Sequence, residues 1–305
     1  MKKKNGTLNI LLAGAGAFLL CQGCVRNEWI VEDVRGDASG SRCVVYFNPR
    51  MESNFTRALT PFPAGCQAQI YAFIDGPGKQ SVGSPVYESL KAGTLSPTGS
   101  PMTLPVGTYD FYAVSLKEDA PPPAFTDNSA GNLSNGVDYL WCGITGENIN
   151  ATGSTVDLTF RHCATQFVFD IVSQENATVI SDILYAAMSV PDPAGGARWN
   201  LLTGEISQMN VVPEDIAYMN VSDVRISTVC LPFTNTEGEN LLSVFAVSQA
   251  DTMVSFEVDI PIPESGYLSG RSYQYEILFM ADTILLGDVL VAPWIENLEG
   301  DINVP

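Results

Sequence analysis

Hydrophobic residues along this chain recur mainly at every second position, in short runs separated by clusters of glycine, proline, asparagine and aspartate. This alternation is typical of β-strands that bury one face, and no stretch keeps the period of about 3.6 residues that marks a long helix. The sequence therefore predicts an all-β protein. The clearest predicted strands are residues 43–47, 67–74, 108–116, 139–144, 155–162, 165–172, 179–190, 225–231, 242–248, 253–260, 273–280 and 284–291.

The predicted strands have one apolar and one polar face. In residues 155–162, for example, Val156, Leu158 and Phe160 alternate with polar neighbours. A sheet with a single apolar face needs a second layer to cover it, because the apolar side chains must be removed from water. We therefore expect β-sandwiches.

The length of the chain suits two such units. Its 305 residues are 46% hydrophobic and 16% charged, which is enough to bury a substantial core, and domains commonly have about 100 to 150 residues. A polar break at residues 173–176 lies near the middle of the predicted strands. The sequence therefore predicts two tandem sandwich domains, residues 24–172 and 173–305.

The N-terminus has the layout of an export signal. Lysines at positions 2–4 precede an apolar run at residues 8–20, and a small Gly23 stands before Cys24. The run of 13 residues is shorter than the roughly 20 that a membrane-spanning helix needs. We expect residues 1–23 to be removed as a signal peptide and Cys24 to carry a lipid that tethers the protein to a membrane.

The strong negative charge of the chain limits the classes of partner that it can bind. Loss of residues 1–23 would remove three lysines and no acidic residue, so the net charge would move from −19 to −22. Nucleic acid and anionic lipid surfaces would both repel such a protein. We therefore expect no nucleic-acid partner, and any membrane attachment must come from the lipid.

Five cysteines remain in the body of the chain, and none has CxxC spacing. Several lie inside apolar strand-like runs, which favours small buried thiols over disulfides, although disulfides stay an alternative. No spacing typical of zinc ligands occurs. The five are Cys43, Cys66, Cys142, Cys163 and Cys230.

Residues for catalysis are scarce. The one histidine, His162, shares the apolar face of its strand and is predicted to be a hydrogen-bonded structural residue. Acidic clusters such as residues 296–301 have the composition of solvated turns. We therefore expect no enzymatic activity, no metal and no cofactor. Aromatic residues could stack on sugars, and the tryptophans are Trp29, Trp141, Trp199 and Trp294, of which Trp141 is predicted to lie in a core.

The first strand is followed by a loop-like stretch, residues 48–62, that contains Arg50 and Arg57. A trypsin-like protease could cut there, and loss of the first strand would uncover an apolar groove with unpaired backbone groups that another strand must fill. The alternative is an ordinary edge strand in a monomeric protein. After residue 294 the tail, residues 295–305, offers a matching strand in which apolar positions alternate with more polar ones: Leu298, Gly300, Ile302 and Val304.

The sequence resembles the fimbrillin-like family, the type V pilin superfamily of the Bacteroides group, over most of the chain that follows the signal. The resemblance rests on the order and spacing of five strings: Asn-Phe-Thr-Arg-Ala at 54–58, Leu-Pro-Val-Gly-Thr-Tyr-Asp-Phe-Tyr-Ala-Val at 104–114, Leu-Thr-Phe-Arg-His-Cys-Ala at 158–164, Leu-Ser-Gly-Arg-Ser-Tyr-Gln-Tyr at 268–275, and Pro-Trp at 293–294.

This resemblance implies two transthyretin-like β-sandwich domains, lipoprotein export to the outer membrane, and assembly by strand exchange after an arginine-specific protease removes the first strand. The cut would fall between Arg57 and Ala58 and release residues of about 41–57. The residues implied in exchange are Cys43, Val45 and Phe47 in the displaced strand and Leu298, Ile302 and Val304 in the donor tail.

The expected function is a structural or adhesive subunit of a cell-surface fimbria. Its partners would be other fimbrial subunits, the membrane that holds the lipid anchor and, for an adhesive subunit, a ligand on a host or bacterial surface. Anchor and tip subunits of the family are not cleaved, so Arg57 as an ordinary loop residue is the alternative within the family. The alternative function is a monomeric surface lipoprotein that binds glycan through a surface aromatic such as Trp199.

Overall fold

The structure is a computed structural model that describes residues 41–52, 59–74, 81–173, 180–208, 215–222, 225–234, 240–249, 252–280 and 284–294. These residues form β-strands and one 3₁₀ turn, Pro193–Gly195. The strands are β1 Arg42–Met51, β2 Thr60–Pro61, β3 Cys66–Ile74, β4 Ser81–Gly83, β5 Val86–Ser89, β6 Ser96–Pro97, β7 Thr103–Pro105, β8 Gly107–Ser115, β9 Ser129–Ala130, β10 Leu140–Ile149, β11 Ser154–His162, β12 Thr165–Ser173, β13 Ile180–Val190, β14 Arg198–Asn200, β15 Ile206–Ser207, β16 Asp215–Tyr218, β17 Asn220–Ser222, β18 Arg225–Cys230, β19 Asn240–Gln249, β20 Thr252–Pro261, β21 Arg271–Phe279 and β22 Ile284–Pro293.

The prediction of an all-β protein is confirmed, and each of the twelve predicted strands coincides with an observed one. The ends shift little except in two strands. β10 continues to Ile149, and β1 continues to Met51, so the prediction of a loop from residue 48 is wrong for residues 48–51 and Arg50 lies in the strand. The strands that the sequence did not predict are short, each of two to four residues. A strand of that length contains too few positions to show alternation.

The first core is enclosed by a sheet of ten strands that folds over on itself. Its central order is β1-β11-β10-β8-β3-β5, and β10 meets β11 through only two residue pairs, which form the corner. Side chains from both ends of the sheet pack together inside. The ring of Phe47 on β1, for instance, lies 5.9 Å from that of Phe111 on β8.

The second core lies between two separate sheets. One has the order β17-β18-β12-β21-β22 and the other β16-β13-β19-β20. Aromatic rings cross between them, with Phe169 on β12 at 5.6 Å from Phe245 on β19, edge to face. Offset or edge-on pairs of this kind are the favoured packing of aromatic side chains.

The chain passes from the first core to the second at a different place from the domain boundary that the polar break predicted. Because β12 pairs with β18 and β21 in the second core, the predicted boundary between residues 172 and 173 is wrong for this strand. The chain crosses at Cys163 and Ala164, which are both fully buried. A buried apolar crossing leaves no polar signal in the sequence, whereas the polar break follows β12 within the second core.

A third cluster of buried side chains, here called the inter-core cluster, joins the two. It contains Tyr112 and Tyr139 from the first half of the chain and Leu231 and Trp294 from the second. Trp199 is at its centre, fully buried on the small sheet β15-β14-β9. The two cores therefore share apolar packing in addition to the covalent crossing.

All five cysteines of the body are free and buried, as the favoured interpretation expected. Burial raises the pKa of the Cys142 and Cys163 thiols from 9.0 to about 12. We therefore expect Cys142 and Cys163 to resist alkylation at pH 8 in the folded protein and to react in urea, which mass spectrometry of labelled peptides would detect. Rapid labelling of either in the native state would contradict their burial.

The same shift predicts the direction of alkaline destabilisation. The folded thiols hold their protons from pH 9.0 to about 12, whereas the unfolded chain releases them. The stability present below pH 9 is therefore lost as the pH rises through this range, by about 1.4 kcal/mol per pH unit for each thiol. Urea unfolding at pH 8 and pH 10.5 would measure the loss, and a Cys142→Ser variant would show a shallower dependence.

Candidate functional site

The candidate site is the position of β1 along the edge of β11. The two strands run parallel, with residues 45–51 beside residues 154–160. The ladder continues beyond the strand, because the backbone N–H of Glu52 donates to the carbonyl of Phe160 at 2.8 Å. If β1 were absent, these backbone groups of β11 would lose their partners.

The inner face of β1 is part of the first core. Cys43, Val45, Phe47 and Met51 are between 1% and 8% exposed. The ring of Phe47 meets that of Tyr87 edge to face at 5.3 Å. Fully burying an aliphatic or aromatic side chain of this size is worth about 1.5–3 kcal/mol. Removing β1 would therefore open an apolar groove whose refilling is strongly favourable.

The other edge of β1 is held only at its ends. The strand β7 pairs with residues 42–44 and β2 with residues 50–51. Across the described ranges, residues 46–49 have no strand partner on this side. Pro49 has no N–H to donate, which suits an edge. One edge of β1 is thus paired with β11 along residues 45–51, and the other edge is open in the middle.

A cleft of about 210 Å³ lies beyond the end of β1. Arg161 in its wall is held in place, since its Nη2 donates to the carbonyl of Thr203 at 2.6 Å and its guanidinium lies 4.6 Å from the centre of the Trp141 ring. We call this the junction cleft, because strands of both cores end in it. Its lining residues are Glu52, Arg161, His162, Ser269, Gly270, Arg271 and Pro293.

A family model described as fimbrillin-like matches residues 56–294. The chain belongs to the fimbrillin-like family. The match begins after β1 and ends at Trp294, so it covers both cores without the first strand. The comparison with curated proteins gave no match.

Solved structures share the fold of this fimbrillin-like chain. A candidate cell adhesion protein from Bacteroides uniformis has 15% identity and a TM-score of 0.62, over 83% of this chain and 98% of that one. A candidate cell adhesion protein from Bacteroides ovatus has 14% identity and a TM-score of 0.61, over 85% and 100%. One from Bacteroides fragilis has 13% identity and a TM-score of 0.58, over 84% and 99%.

Only part of the predicted exchange machinery of the fimbrillin-like chain falls within the described residues. Cys43, Val45 and Phe47, the residues predicted for the displaced strand, lie together on the inner face of β1, and the displacement of this strand stays a prediction. The remaining predicted residues lie outside the described ranges and stay predictions: Cys24, Arg57, Ala58, Leu298, Ile302 and Val304.

His162 links the first core to the last strand of the second. It is 4% exposed, its Nδ1 lies 2.7 Å from Oδ1 of Asp138, and its ring stacks on that of Trp294 at 4.2 Å. Asp138 also pairs with Lys117 at 3.2 Å. The prediction of a hydrogen-bonded structural histidine is confirmed. The sequence missed the stack on Trp294, because the two residues are far apart in the chain.

Two of the four tryptophans are buried and cannot stack on a glycan, and Trp29 lies outside the described residues. Trp141, predicted to lie in a core, is partly buried against the inter-core cluster, with the Arg161 guanidinium over its ring. Trp199, suggested above as a surface aromatic, is wholly buried, which corrects that expectation, and Trp294 is 5% exposed. Trp199 sits on a strand of three residues that the sequence did not predict. The large aromatics that are exposed in the described ranges are tyrosines, Tyr46, Tyr185 and Tyr218.

The described ranges contain no group of three or more histidine, cysteine, aspartate or glutamate side chains placed to hold a metal ion. They also contain no helix that is both long and apolar enough to cross a membrane.

Proposed function

We propose that this protein is a structural subunit of a cell-surface fimbria, exported as a lipoprotein through Cys24 and assembled by strand exchange after proteolysis at Arg57. The observation that carries the proposal is β1, a strand of ten residues that closes the first core, is open along the middle of one edge, and ends before Arg57. Membership of the fimbrillin-like family supports the same role.

Strand exchange follows from the physics of the groove. Loss of β1 would leave the edge of β11 unpaired and expose the inner faces of Val156, Leu158 and Phe160, which are buried in the first core. A groove of this kind captures an extended segment through backbone hydrogen bonds, with alternate side chains filling its pockets. The tail of a second subunit has the alternation required, with Leu298 and Ile302 on one face.

Proteolysis would also change the location of the protein. In the precursor, Cys24 would hold the folded cores at the outer membrane. A cut after Arg57 separates Cys24 from both cores, so the lipid acts during export and the assembled subunit is held by its neighbours. Its partners are other fimbrial subunits, and a terminal subunit would present the adhesive surface to a host or bacterial cell.

The test is to measure the N-terminus and the oligomeric state of the protein recovered from the cell surface. We expect a mature N-terminus at Ala58, and a ladder of polymers in unheated gel samples after trimming by an arginine-specific protease. Arg57→Lys should prevent both. Arg50→Lys is the matched control, because Arg50 lies within β1 and pairs with β2 and β11.

Two results would contradict the proposal. One is a trimmed protein that remains monomeric at every concentration examined. The other is a surface protein that keeps Cys24 with its lipid and still polymerises, which would show that exchange does not require removal of β1.

A further inference from the structure

We propose that the junction cleft is a carboxylate-binding pocket that receives an acidic side chain from the tail of a second copy of this chain. This inference rests on the proposed function, since it specifies which groups of the donor tail are recognised. The occupant is an aspartate or glutamate side chain presented beside the apolar residues that fill the groove.

The first support is the concentration of unpaired positive charge. The chain has 15 basic and 34 acidic residues, yet two arginines line this one cleft. Arg161 uses one of its five N–H groups on Thr203 and is kept in place by Trp141. Within the described ranges the side chain of Arg271 has no hydrogen bond or ion pair. A guanidinium that is held like that of Arg161, or that has unused N–H groups like that of Arg271, suits a carboxylate, which it can bind through two parallel hydrogen bonds.

The size of the cleft selects a small group. The cleft has a volume of about 210 Å³, whereas pockets that enclose drug-sized ligands have volumes of roughly 300–1,000 Å³. A single side chain with its carboxylate fits this volume better than a sugar chain does. The cleft is therefore suited to one anchoring residue at the end of a longer contact.

The second support is the position of Glu52. Among the described residues that line the cleft it supplies the one carboxylate, and it follows β1 directly. Trimming after Arg57 would remove Glu52 together with β1, while Arg161 and Arg271 stay. Because like charges repel, Glu52 disfavours a second carboxylate in the intact precursor. The same cut thus opens the groove and gives the cleft a net positive charge.

The third support is the composition of the tail. Its apolar positions alternate with acidic ones, so that Glu299 and Asp301 lie on the face opposite Leu298 and Ile302 in an extended strand. A tail that takes the place of β1 with its apolar side chains inward therefore carries carboxylates on the other face. The junction cleft lies where that strand position ends.

Peptide binding tests the pocket directly. We would measure by fluorescence anisotropy the Kd of a labelled peptide of residues 295–305 for the full protein after trimming. Arg271→Gln should raise this Kd about tenfold, because a charge-assisted hydrogen bond is lost. A peptide with Glu296→Gln, Glu299→Gln and Asp301→Asn should bind the unchanged protein with a similarly raised Kd. Arg198→Gln, an exposed arginine outside the cleft, is the matched control, and thermal melting checks that each variant is folded.

A charge-exchange experiment separates a second copy from the chain's own tail. Pro293 lines the cleft, so the tail of the same molecule also begins there. Arg271→Glu alone, and a tail with its three acidic residues changed to lysine alone, should each fail to form ladders. A mixture of the two trimmed variants should form an alternating polymer, because each groove then meets a tail of opposite charge. If the mixture forms no ladders, and ladders form only when both changes are made in the same chain, a second copy is overturned as the source of the acidic side chain.

The outcomes also separate this inference from the proposed function. If trimmed wild-type protein forms ladders and Arg271→Gln binds the peptide and polymerises equally well, the pocket is overturned and strand exchange stands. If trimmed wild-type protein neither polymerises nor binds the peptide, strand exchange itself is overturned. Equal peptide affinity for trimmed Arg271→Glu and trimmed wild-type protein would also rule out a role for charge.

Discussion

A disulfide between β1 and β7 is expected to abolish polymer formation after trimming, and a reductant is expected to restore it. The variant carries Val44→Cys and Thr103→Cys, at positions that are directly opposite in the antiparallel pair of β1 and β7. A cut after Arg57 would then leave β1 attached to the first core. Because the groove stays filled, no donor strand can enter.

The geometry of β1 and β7 suits this disulfide. The N–H of Val45 donates to the carbonyl of Met102, and the N–H of Val106 to that of Ser41, so residues 44 and 103 form the non-hydrogen-bonded type of pair between these two bonds. Such pairs have Cα atoms about 4.5 Å apart, within the range of disulfides at about 4.4–6.8 Å. Both side chains are partly exposed, so the core is left unchanged.

The controls for the disulfide are the single variants Val44→Cys and Thr103→Cys, which keep the backbone and cannot link β1 to β7. We would score ladders on unheated gels with and without dithiothreitol, together with the intact mass. Ladders of the cross-linked, trimmed protein under oxidising conditions would show that β1 need not leave, which would refute strand exchange at this groove.

Trp199→Ala is expected to give the largest loss of stability of any single truncation in the inter-core cluster. Trp199 is fully buried, and its ring lies 5.2 Å from that of Tyr139 and 5.3 Å from that of Phe125. Truncating a buried tryptophan costs about 3–5 kcal/mol, because the cavity left behind is only partly refilled. Urea unfolding followed by circular dichroism would measure the change in the free energy of unfolding.

Two variants make this experiment specific. Tyr218→Ala removes an aromatic side chain that is 70% exposed and should change stability by less than about 0.5 kcal/mol. Trp199→Phe should cost much less free energy of unfolding than Trp199→Ala, because phenylalanine keeps a six-membered ring that fills most of the site.

The sequence by itself determined the fold class, the long strands and the inner face of β1. These features depend on alternation within one stretch of chain, and alternation is visible wherever a strand has enough residues to repeat it. The same reasoning placed His162 on an apolar face. It also placed Cys43, Val45 and Phe47 together, since residues two apart in a strand share a face.

Only the tertiary structure decided which contacts join distant parts of the chain. It placed β12 in the second core, buried Trp199 between the two cores, stacked His162 on Trp294, and brought Arg161, Arg271 and Glu52 to one cleft. None of these contacts has a local signal, because each depends on how sheets pack and not on the order of neighbouring residues. Alternation reports which face of a strand is buried, whereas the partner that buries it is set by the packing of the whole molecule.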